Sequence, residues 1–353
     1  MRTAACLYVR DEARNIAEWA AYHLELGFDH LFIYDNNSVD GTAGVADLFG
    51  PASVTVVPWL FVDPHAQYKA YDHCTARCVG RYDWVACIDA DEFIALQPGW
   101  TLHRLLEDRH GCDAVALHWA FFGSGGHDDY PPGLMVEAFT HRAEAGFAPN
   151  RHVKSVVRPG RSGPAVSPHN FATANYQLAN GHPVEWQSNG ITVTAADYAV
   201  CQLNHYFVRS RAHWRNKMRR GYRDGSRDDS DFALYDLNIV EDHLASRLAP
   251  RVRLRIDQAL GRRPGPRRPP PEATLLDPVW YLMRYPDVAA SGVSAPEHFW
   301  SHGLRENRDP NPFFDTGWYA RTHLEPRGTK QPAFLHFLSE GAHDGLPARA
   351  DPG

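Results

Sequence analysis

The chain has 353 residues, of which 44% are hydrophobic and 22% are charged. These fractions are typical of a folded, water-soluble protein and exclude a disordered, collagen-like or multi-span membrane chain. The 36 basic and 42 acidic residues give a net charge of −6, which argues against a nucleic-acid-binding protein. The length predicts two domains, or one large α/β domain with an appendage.

The first 93 residues alternate between short apolar runs and helical periodicity. Strands are predicted at 4–9, 30–34, 53–57 and 84–88, and helices at 15–26, 38–49 and 66–82. This alternation predicts an α/β fold with a mostly parallel sheet and helices on both faces. Ligands bind such a sheet beyond the carboxyl ends of its strands, where the loops that begin at Arg10, Asp35 and Asp89 are polar.

The second half of the chain has a weaker pattern. Apolar runs at 114–123 and 134–141, with β-like pieces near Val153 and Val200, indicate an α+β half separated by Gly- and Pro-rich loops. Residues 209–227 contain eight basic residues and one acidic residue, Asp224. They form a local positive patch in an acidic protein.

A Pro- and Arg-rich segment at 261–274 predicts a linker between a domain at 1–260 and a region at 275–353. In the second region seven residues recur with a period of 38: Asp277, Trp280, Tyr281, His298, Phe299, Ser301 and Gly303 return as Asp315, Trp318, Tyr319, His336, Phe337, Ser339 and Gly341. Each copy is predicted to be a helix pair, which gives a small all-α region of two tandem repeats. About three copies usually make a self-sufficient stack, so we expect docking on the first domain, on a protein partner or on a second copy.

The cysteines and apolar runs bear on the cellular location. Six cysteines without C-x-x-C spacing are too few for a disulfide scaffold or a zinc ribbon. The first residues lack an apolar stretch of signal-peptide length, and no later run approaches the roughly 18 apolar residues that span a bilayer. We therefore expect a cytoplasmic protein.

Asp89-Ala90-Asp91 is the central candidate for chemistry. The same spacing also occurs at Asp229-Ser230-Asp231, so the pattern alone carries little weight. Its place after an apolar strand favours function, because two carboxylates at a strand end can bind one hard cation. A divalent ion there would neutralise a diphosphate leaving group. Solvated turn carboxylates are the alternative.

The sequence also resembles a known group of enzymes. CLYVRDEARNIAEWAAYHLELGFDHLFIYDNNSVDGT, then Gln67 with Lys69, then DWVACIDADEFI resemble the nucleotide-sugar half of GT-A fold glycosyltransferases, most closely the family 2-like and family 92-like group. Later blocks, FFGSGGH, RHVKSVVRP, HNF and LNHYFVRSRAHWRNKMRRG, are similar to the same group. The resemblance covers residues 3 to 260 and implies a Rossmann-like GT-A sheet.

The resemblance implies contacts to a nucleotide-sugar donor, with a UDP-sugar favoured. Asp11 and Glu12 would lie against the nucleoside, and Asp40 would touch the base or ribose, although Asp40 or Ser38 would serve equally as a helix N-cap. The full set of predicted donor contacts comprises Arg10, Asp11, Glu12, Asp35, Asp40, Lys69, Asp89, Lys154, Arg209, Lys217 and Arg220.

The same resemblance implies a metal site of Asp89, Asp91 and His205, and this mixed carboxylate and imidazole set suits Mn²⁺, or Mg²⁺. Arg209, Lys217 and Arg220 are predicted on one helix after His205, where they would hold the departing diphosphate. A solvated basic helix is the alternative. Such cations would also suit anionic lipid headgroups, which predicts peripheral contact with the inner face of the membrane.

Transfer with inversion requires a carboxylate that removes a proton from the acceptor hydroxyl. Asp128, in the loop FGSGGHDD, is the favoured candidate, and Asp129, Glu137 and Glu185 are alternatives.

The sequence therefore predicts a metal-dependent glycosyltransferase that acts on a hydroxyl of a glycan or lipid-linked acceptor. The alternatives are a non-catalytic scaffold that binds nucleotide sugars or carbohydrates, and a sugar nucleotidyltransferase. The latter requires a Gly-rich phosphate loop after the first strand, and this chain has Arg10-Asp11-Glu12-Ala13 there.

Overall fold

The computed structural model describes residues 1–59, 65–220, 229–261, 275–342, 344 and 346–350. These residues belong to two compact units. The first consists of Met1–Arg10, Asn15–Asn37 and Phe49–Arg255, and the second of Asp11–Arg14, Ser38–Leu48 and Ile256–Gly353. All of the predicted linker except Gly261 lies outside the described residues, so the predicted domain boundaries remain predictions.

The described part of the chain contains both strands and helices. The strands are β1 Thr3–Val9, β2 His30–Asp35, β3 Val54–Pro58, β4 Trp84–Cys87, β5 Glu92–Leu96, β6 Ala114–Phe121, β7 His141–Arg142, β8 Val153–Val157, β9 Tyr176–Leu178, β10 Trp186–Ser188, β11 Ile191–Thr192, β12 Cys201–His205 and β13 Val240–Glu241. The α-helices are α1 Ala13–Leu26, α2 Thr42–Asp47, α3 Ala66–Cys78, α4 Leu102–Asp108, α5 Met135–Ala138, α6 Arg211–Arg220, α7 Asp229–Tyr235, α8 Ala249–Ala259, α9 Pro278–Arg284, α10 Pro286–Ser291, α11 Ala295–His298, α12 Thr316–Tyr319 and α13 Ala333–His336. No helix in the described ranges has both the length and the apolar composition needed to cross a membrane.

The first unit is built on a nine-stranded sheet in the order β3-β2-β1-β4-β8-β6-β12-β5, with β9 paired to β6. The pairs β1–β2, β2–β3, β1–β4, β6–β12 and β6–β9 are parallel, whereas β8 is antiparallel to both neighbours and β5 is antiparallel to β12. Seven strands therefore run in one direction, and the predicted α/β class with a mostly parallel sheet is confirmed.

Both faces of this sheet are buried, as a mostly parallel sheet requires. Helix α3 covers one face, where Tyr71 and Cys74 pack with Cys6 and Phe32. On α1, the Trp19 indole donates to the backbone oxygen of Asp89 at 3.0 Å. Helix α1 therefore packs directly against the loop that follows β4.

The sequence pattern locates most of these elements. The predicted strands at 4–9, 30–34, 53–57 and 84–88 correspond to β1 to β4, and the predicted helices at 15–26 and 66–82 correspond to α1 and α3. The predicted helix at 38–49 is shorter, because α2 spans only Thr42–Asp47. Its start at Thr42 follows Gly41, whose φ of 95° is a left-handed conformation that glycine adopts readily.

The C-terminal part of the second unit is helical, as predicted. Asp277 accepts a hydrogen bond from Trp280 N at 2.9 Å, and Asp315 accepts one from Trp318 N at 2.7 Å, so each begins a helix. The Tyr281 hydroxyl lies 3.1 Å from His298 Nδ1.

The second copy of the sequence pattern makes the corresponding contact, since the Tyr319 hydroxyl lies 3.0 Å from His336 Nδ1. A Cβ on Gly303 would overlap the Tyr281 hydroxyl, and a Cβ on Gly341 would overlap that of Tyr319. These contacts explain why Asp, Tyr, His and Gly recur at equivalent positions.

We predict that Gly303→Ala destabilises the helical region, because the new methyl group would displace the buried Tyr281 side chain. The expected loss is about 1–3 kcal/mol of unfolding free energy. Gly317→Ala is the matched control, since its Cβ would lie 3.2 Å from the flexible end of the Arg321 side chain and at an ordinary contact distance of 3.6 Å from Asp315 Oδ1, and alanine favours a helix. Differential scanning calorimetry of the full chain measures both variants, and equal melting temperatures would contradict the prediction.

Candidate active site

The predicted acidic pair lies in the loop between β4 and β5, two strands of the sheet that run in opposite directions. Asp89 and Asp91 fall between β4 and β5, and β5 pairs antiparallel with β12, so that Glu92 stands opposite His205. The Asp89 side chain is 31% exposed and that of Asp91 is 16% exposed. Both carboxylates are therefore partly screened from water.

Hydrogen-bond donors fix both carboxylate oxygens of Asp89. Gln67 Nε2 donates to Oδ1 at 2.8 Å, and the Tyr71 hydroxyl donates to the same oxygen at 3.1 Å. Lys154 Nζ donates to Oδ2 at 2.8 Å. Asp89 is thus oriented by three side chains, two from α3 and one from β8.

Lys154 is a fully buried cation. Its ammonium also donates to the backbone oxygen of Pro168 at 3.0 Å and lies 3.9 Å from Glu92 Oε2. Burial opposes its charge, yet the carboxylates of Asp89 and Glu92 raise the pKa of Lys154 above its ordinary value. Lys154 therefore forms an ion pair with Asp89 in this structure, and its predicted contact with the nucleotide sugar remains a prediction.

Asp91 lies in a different group of side chains. Its Oδ1 is 3.7 Å from His205 Nε2, and its Oδ2 is 3.5 Å from Lys217 Nζ. Burial would raise the pKa of the Asp91 carboxyl, but Lys217, His205 and Arg209 lower it to about 2. Asp91 is consequently an anion at neutral pH.

His205 is suited to metal ligation by its charge state. Burial lowers its pKa to about 3, so the imidazole is neutral at pH 7 and its contact with Asp91 is not an ion pair. Its Nδ1 is buried and has no hydrogen-bond partner among the residues that the structure describes. A neutral imidazole beside a carboxylate fits a divalent cation such as Mn²⁺.

The geometry nevertheless differs from a closed three-ligand site. The described residues contain no group of three or more His, Cys, Asp or Glu side chains placed to hold a metal ion. Asp91 and His205 supply one oxygen and one nitrogen donor, while both oxygens of Asp89 accept hydrogen bonds from other side chains. The predicted ligand set of Asp89, Asp91 and His205 remains a prediction.

One expectation about the basic residues is wrong. Arg209 does not lie on the helix with Lys217, because α6 begins at Arg211. Ser210 Oγ accepts a hydrogen bond from His213 N at 3.1 Å and so caps the helix, and Arg209 before it has a left-handed φ of 50°. The buried Arg209 side chain still acts on Asp91 electrostatically. The side chain of Arg220 lies outside the described residues.

The other residues predicted to contact the nucleotide sugar are divided between the two units. Within the first unit, Arg10 and Lys69 are exposed, and Asp35 is buried at the end of β2. Asp11, Glu12 and Asp40 belong to the second unit.

The loops of the second unit form a hydrogen-bonded network. Asp40 Oδ2 accepts from Ala13 N at 2.9 Å, which caps α1, and its Oδ1 accepts from Thr42 N at 3.0 Å. Ser38 Oγ accepts from Asp11 N at 2.9 Å, and Thr42 Oγ1 accepts from Glu12 N at 2.9 Å. Asp40 thus accepts from the first residue of α1 and from Thr42, whereas the N-cap residue of α2 is Gly41, and the predicted contact of Asp40 with the base or ribose remains a prediction.

The candidate bases differ in their exposure and contacts. The Asp128 side chain is 90% exposed, and its Oδ1 lies 3.8 Å from Arg211 Nε. Asp129 and Glu185 are exposed, and Glu137 forms an ion pair with Arg253. The assignment of the base remains a prediction.

Sequence reasoning assigned no role at this site to two side chains, those of Glu92 and Tyr71. Glu92 is fully buried, Trp119 Nε1 donates to its Oε1 at 2.6 Å, and the Tyr71 hydroxyl bonds to Asp89. Trp119 also packs 4.3 Å from His205 between ring centroids. The position of Glu92 directly after Asp89-Ala90-Asp91 was the available signal.

Comparisons with known proteins identify relatives of this chain. A sequence model of glycosyltransferase family 92 matches residues 4–227. A family 92 protein of Oryza sativa subsp. japonica is 33% identical over 166 residues, which cover 46% of this chain and 27% of that protein. A family 92 protein of Ricinus communis is 28% identical over 205 residues, which cover 57% of this chain and 34% of that protein. The aligned part thus spans about a third or less of these relatives.

Solved structures show weaker similarity. Glucosyl-3-phosphoglycerate synthase from Mycobacterium tuberculosis, in complex with Mn²⁺ and UDP-glucose, is 21% identical with a TM-score of 0.25, covering 33% of this chain and 43% of that chain. UDP-glucose pyrophosphorylase complexed with UDP-glucose is 11% identical with a TM-score of 0.27, covering 45% of this chain and 77% of that chain. Neither similarity is close enough to support an argument about this site.

The family match, by contrast, spans more than half of the chain and includes β1 through β12 with the whole Asp89–Asp91 site. This protein therefore belongs to glycosyltransferase family 92.

Proposed function

We propose that this protein is a metal-dependent glycosyltransferase of the GT-A type, which moves a sugar from a nucleotide diphosphate donor to a hydroxyl of a glycan or lipid-linked acceptor. UDP-sugars are the favoured donors. The observation that carries the proposal is the grouping of Asp91 with His205, Lys217 and Arg209 at the end of the sheet. Family membership supports the same class of reaction.

The grouping fits the chemistry of a departing diphosphate. Breaking a bond between a sugar and a phosphate leaves negative charge on the diphosphate, and cations placed there lower the energy of the transition state. When bound, Mn²⁺ or Mg²⁺ would act as a Lewis acid on the diphosphate oxygens. Asp91 and His205 would hold this ion.

The side chains around this pair would act on the donor directly. Lys217 Nζ lies 4.1 Å from the centre of the Phe207 ring and donates to the Phe207 backbone oxygen at 3.3 Å. These two contacts hold the end of the lysine side chain against Phe207. From there its ammonium and the buried Arg209 guanidinium would bind the diphosphate oxygens. Asp89, fixed by Gln67, Tyr71 and Lys154, would orient the loop that carries Asp91.

The C-terminal region has a separate proposal. We propose that residues 275–350 contain two copies of one helical unit that mediate contact with a protein partner or a second chain. The paired contacts of Tyr281 with His298 and Tyr319 with His336 support a repeated unit. Cytoplasmic location and peripheral membrane contact remain predictions.

A ligand screen tests the donor class. UDP-sugars with Mn²⁺ should raise the melting temperature of the full chain, because a ligand at 100 times its dissociation constant adds about 2.7 kcal/mol to stability. This corresponds to a shift of roughly 5–10 °C for a domain of this size. UDP-sugar with EDTA is the control. Stabilisation without release of UDP on incubation with acceptors would favour a non-catalytic scaffold.

A single substitution tests the metal pair. Asp91→Asn should lower Mn²⁺-dependent UDP release by more than about 100-fold, because it removes a charged ligand beside His205 and leaves the apolar core intact. Asp108→Asn, an exposed carboxylate at the end of α4, is the matched control and should keep wild-type activity. Unchanged metal-dependent activity in Asp91→Asn would refute the proposed site.

A further inference from the structure

Glu92 is a buried carboxylate next to the proposed metal pair. It begins β5 and is fully inaccessible to solvent. In the antiparallel pairing of β5 with β12 it stands directly opposite His205. Residues opposite each other in such a pair have side chains on the same face, so Glu92 and His205 share the face of the sheet that carries the site.

The two oxygens of Glu92 accept hydrogen bonds from different parts of the structure. Trp119 Nε1, on β6, donates to Oε1 at 2.6 Å. The backbone N–H of Asp89 donates to Oε2 at 2.7 Å. A single carboxylate therefore connects β6 to the loop that contains Asp89 and Asp91.

Lys154 extends this connection to a third strand. It pairs with Leu117 of β6 in the sheet, two residues before Trp119, so its side chain lies on the same face as the indole. Its ammonium lies 2.8 Å from Asp89 Oδ2 and 3.9 Å from Glu92 Oε2. The buried ammonium thus lies close to two carboxylates. Glu92 is connected to Asp89 in two ways: it accepts a hydrogen bond from the Asp89 backbone N–H, and it lies near Lys154, which pairs with the Asp89 carboxylate.

We infer that Glu92 is a positioning residue for the Asp89–Asp91 loop. It does not touch the reacting groups. By holding the Asp89 amide and the Lys154 ammonium, it keeps the loop in the conformation that presents Asp91 to His205. This inference rests on the proposed function for the role of Asp91, and it adds a residue whose effect is transmitted through Asp89.

A purely structural carboxylate would behave differently. It would change the stability of the fold without changing the affinity of the folded protein for Mn²⁺ and UDP. A positioning residue would change the order of the loop and the affinity together.

Glu92→Gln is the variant that separates these two roles. Glutamine has the same shape but only one accepting oxygen, so its amide group would face either the Asp89 N–H or the Trp119 N–H, and both of these are donors. We expect the affinity for Mn²⁺ with UDP, measured by isothermal titration calorimetry, to fall about 10- to 100-fold, which is usual when a group that orients a metal ligand is changed.

Gln202→Leu is the matched control. Gln202 is a buried polar residue of β12, and its amide bonds to Asn204 and Asp242. Gln202 lies three positions before His205 on β12, and because side chains alternate between the two faces of a strand, its side chain points to the opposite face of the sheet. This variant should lose stability and keep wild-type affinity in its folded fraction.

Hydrogen exchange provides a readout that needs no ligand. Glu92→Gln should increase deuterium uptake in peptides that cover residues 84–96, because either the Asp89 amide or the Trp119 indole loses its acceptor and the connection between β6 and the loop weakens, whereas Gln202→Leu should not. Lys154→Met with Glu92→Gln should show non-additive effects on affinity, because both act on Asp89.

If Glu92→Gln fails to fold, Trp119→Phe removes one donor to Glu92 and should give affinity and exchange between those of wild type and the expected Glu92→Gln values.

Two results have distinct meanings. Wild-type affinity and wild-type exchange in a folded Glu92→Gln or Trp119→Phe variant would overturn the positioning role, whatever the activity of the protein. Absence of Mn²⁺ and UDP binding by the wild-type chain would instead overturn the proposed function, while the exchange measurement would still decide whether Glu92 orders the loop.

Discussion

The buried ammonium of Lys154 is the constraint on which the site depends. A charge without solvent is costly unless opposite charges and hydrogen-bond acceptors surround it. Asp89, Glu92 and the Pro168 carbonyl surround this cation. Strand β8, which carries the lysine, must therefore lie close to the loop between β4 and β5, and that loop must bring its carboxylates to the lysine.

This constraint assigns different roles to two aspartates that are one residue apart. The carboxylate of Asp89 accepts bonds from Gln67, Tyr71 and Lys154, which hold it in one orientation. The carboxylate of Asp91 instead lies 3.7 Å from His205 Nε2 and 3.5 Å from Lys217 Nζ. The two carboxylates of this pair therefore have different neighbours, and the prediction that both bind a metal ion together with His205 stays a prediction.

Much of the first half of the fold could be predicted from the sequence, because short apolar strands and helical spacing alternate without interruption up to Phe93. The place of Asp89 and Asp91 at a strand end followed from the same pattern. The antiparallel direction of β5 and β8 could not be predicted, since it depends on pairing between strands far apart in the chain. That pairing is what brings Glu92 opposite His205 and Lys154 next to Asp89.

Local backbone chemistry explains the remaining differences. Spacing alone placed Arg209 on a helix with Lys217, but Ser210 caps that helix and Arg209 turns with a positive φ before it. Asp40 was predicted either as a nucleotide contact or as a cap of the helix at 38–49; its carboxylate accepts bonds from Ala13 N and Thr42 N, whereas the N-cap residue of α2 is Gly41. At α6 the single hydroxyl of Ser210 marks where the helix begins, which a periodic pattern does not resolve.

Burying the charged groups of Lys154 and Glu92 costs free energy, and this cost bears on what the two residues do. Replacing buried ion pairs with apolar side chains is often neutral or stabilising, so stability alone does not explain why Lys154 is buried beside Asp89 and Glu92. What apolar residues would not provide is a fixed orientation for the Asp89 amide and carboxylate, since only charged or polar groups direct hydrogen bonds. Transition-state stabilisation depends on charges that are already oriented before the reaction begins. The ion pair and its hydrogen bonds are therefore best understood as the support that keeps Asp91 and His205 in a fixed geometry.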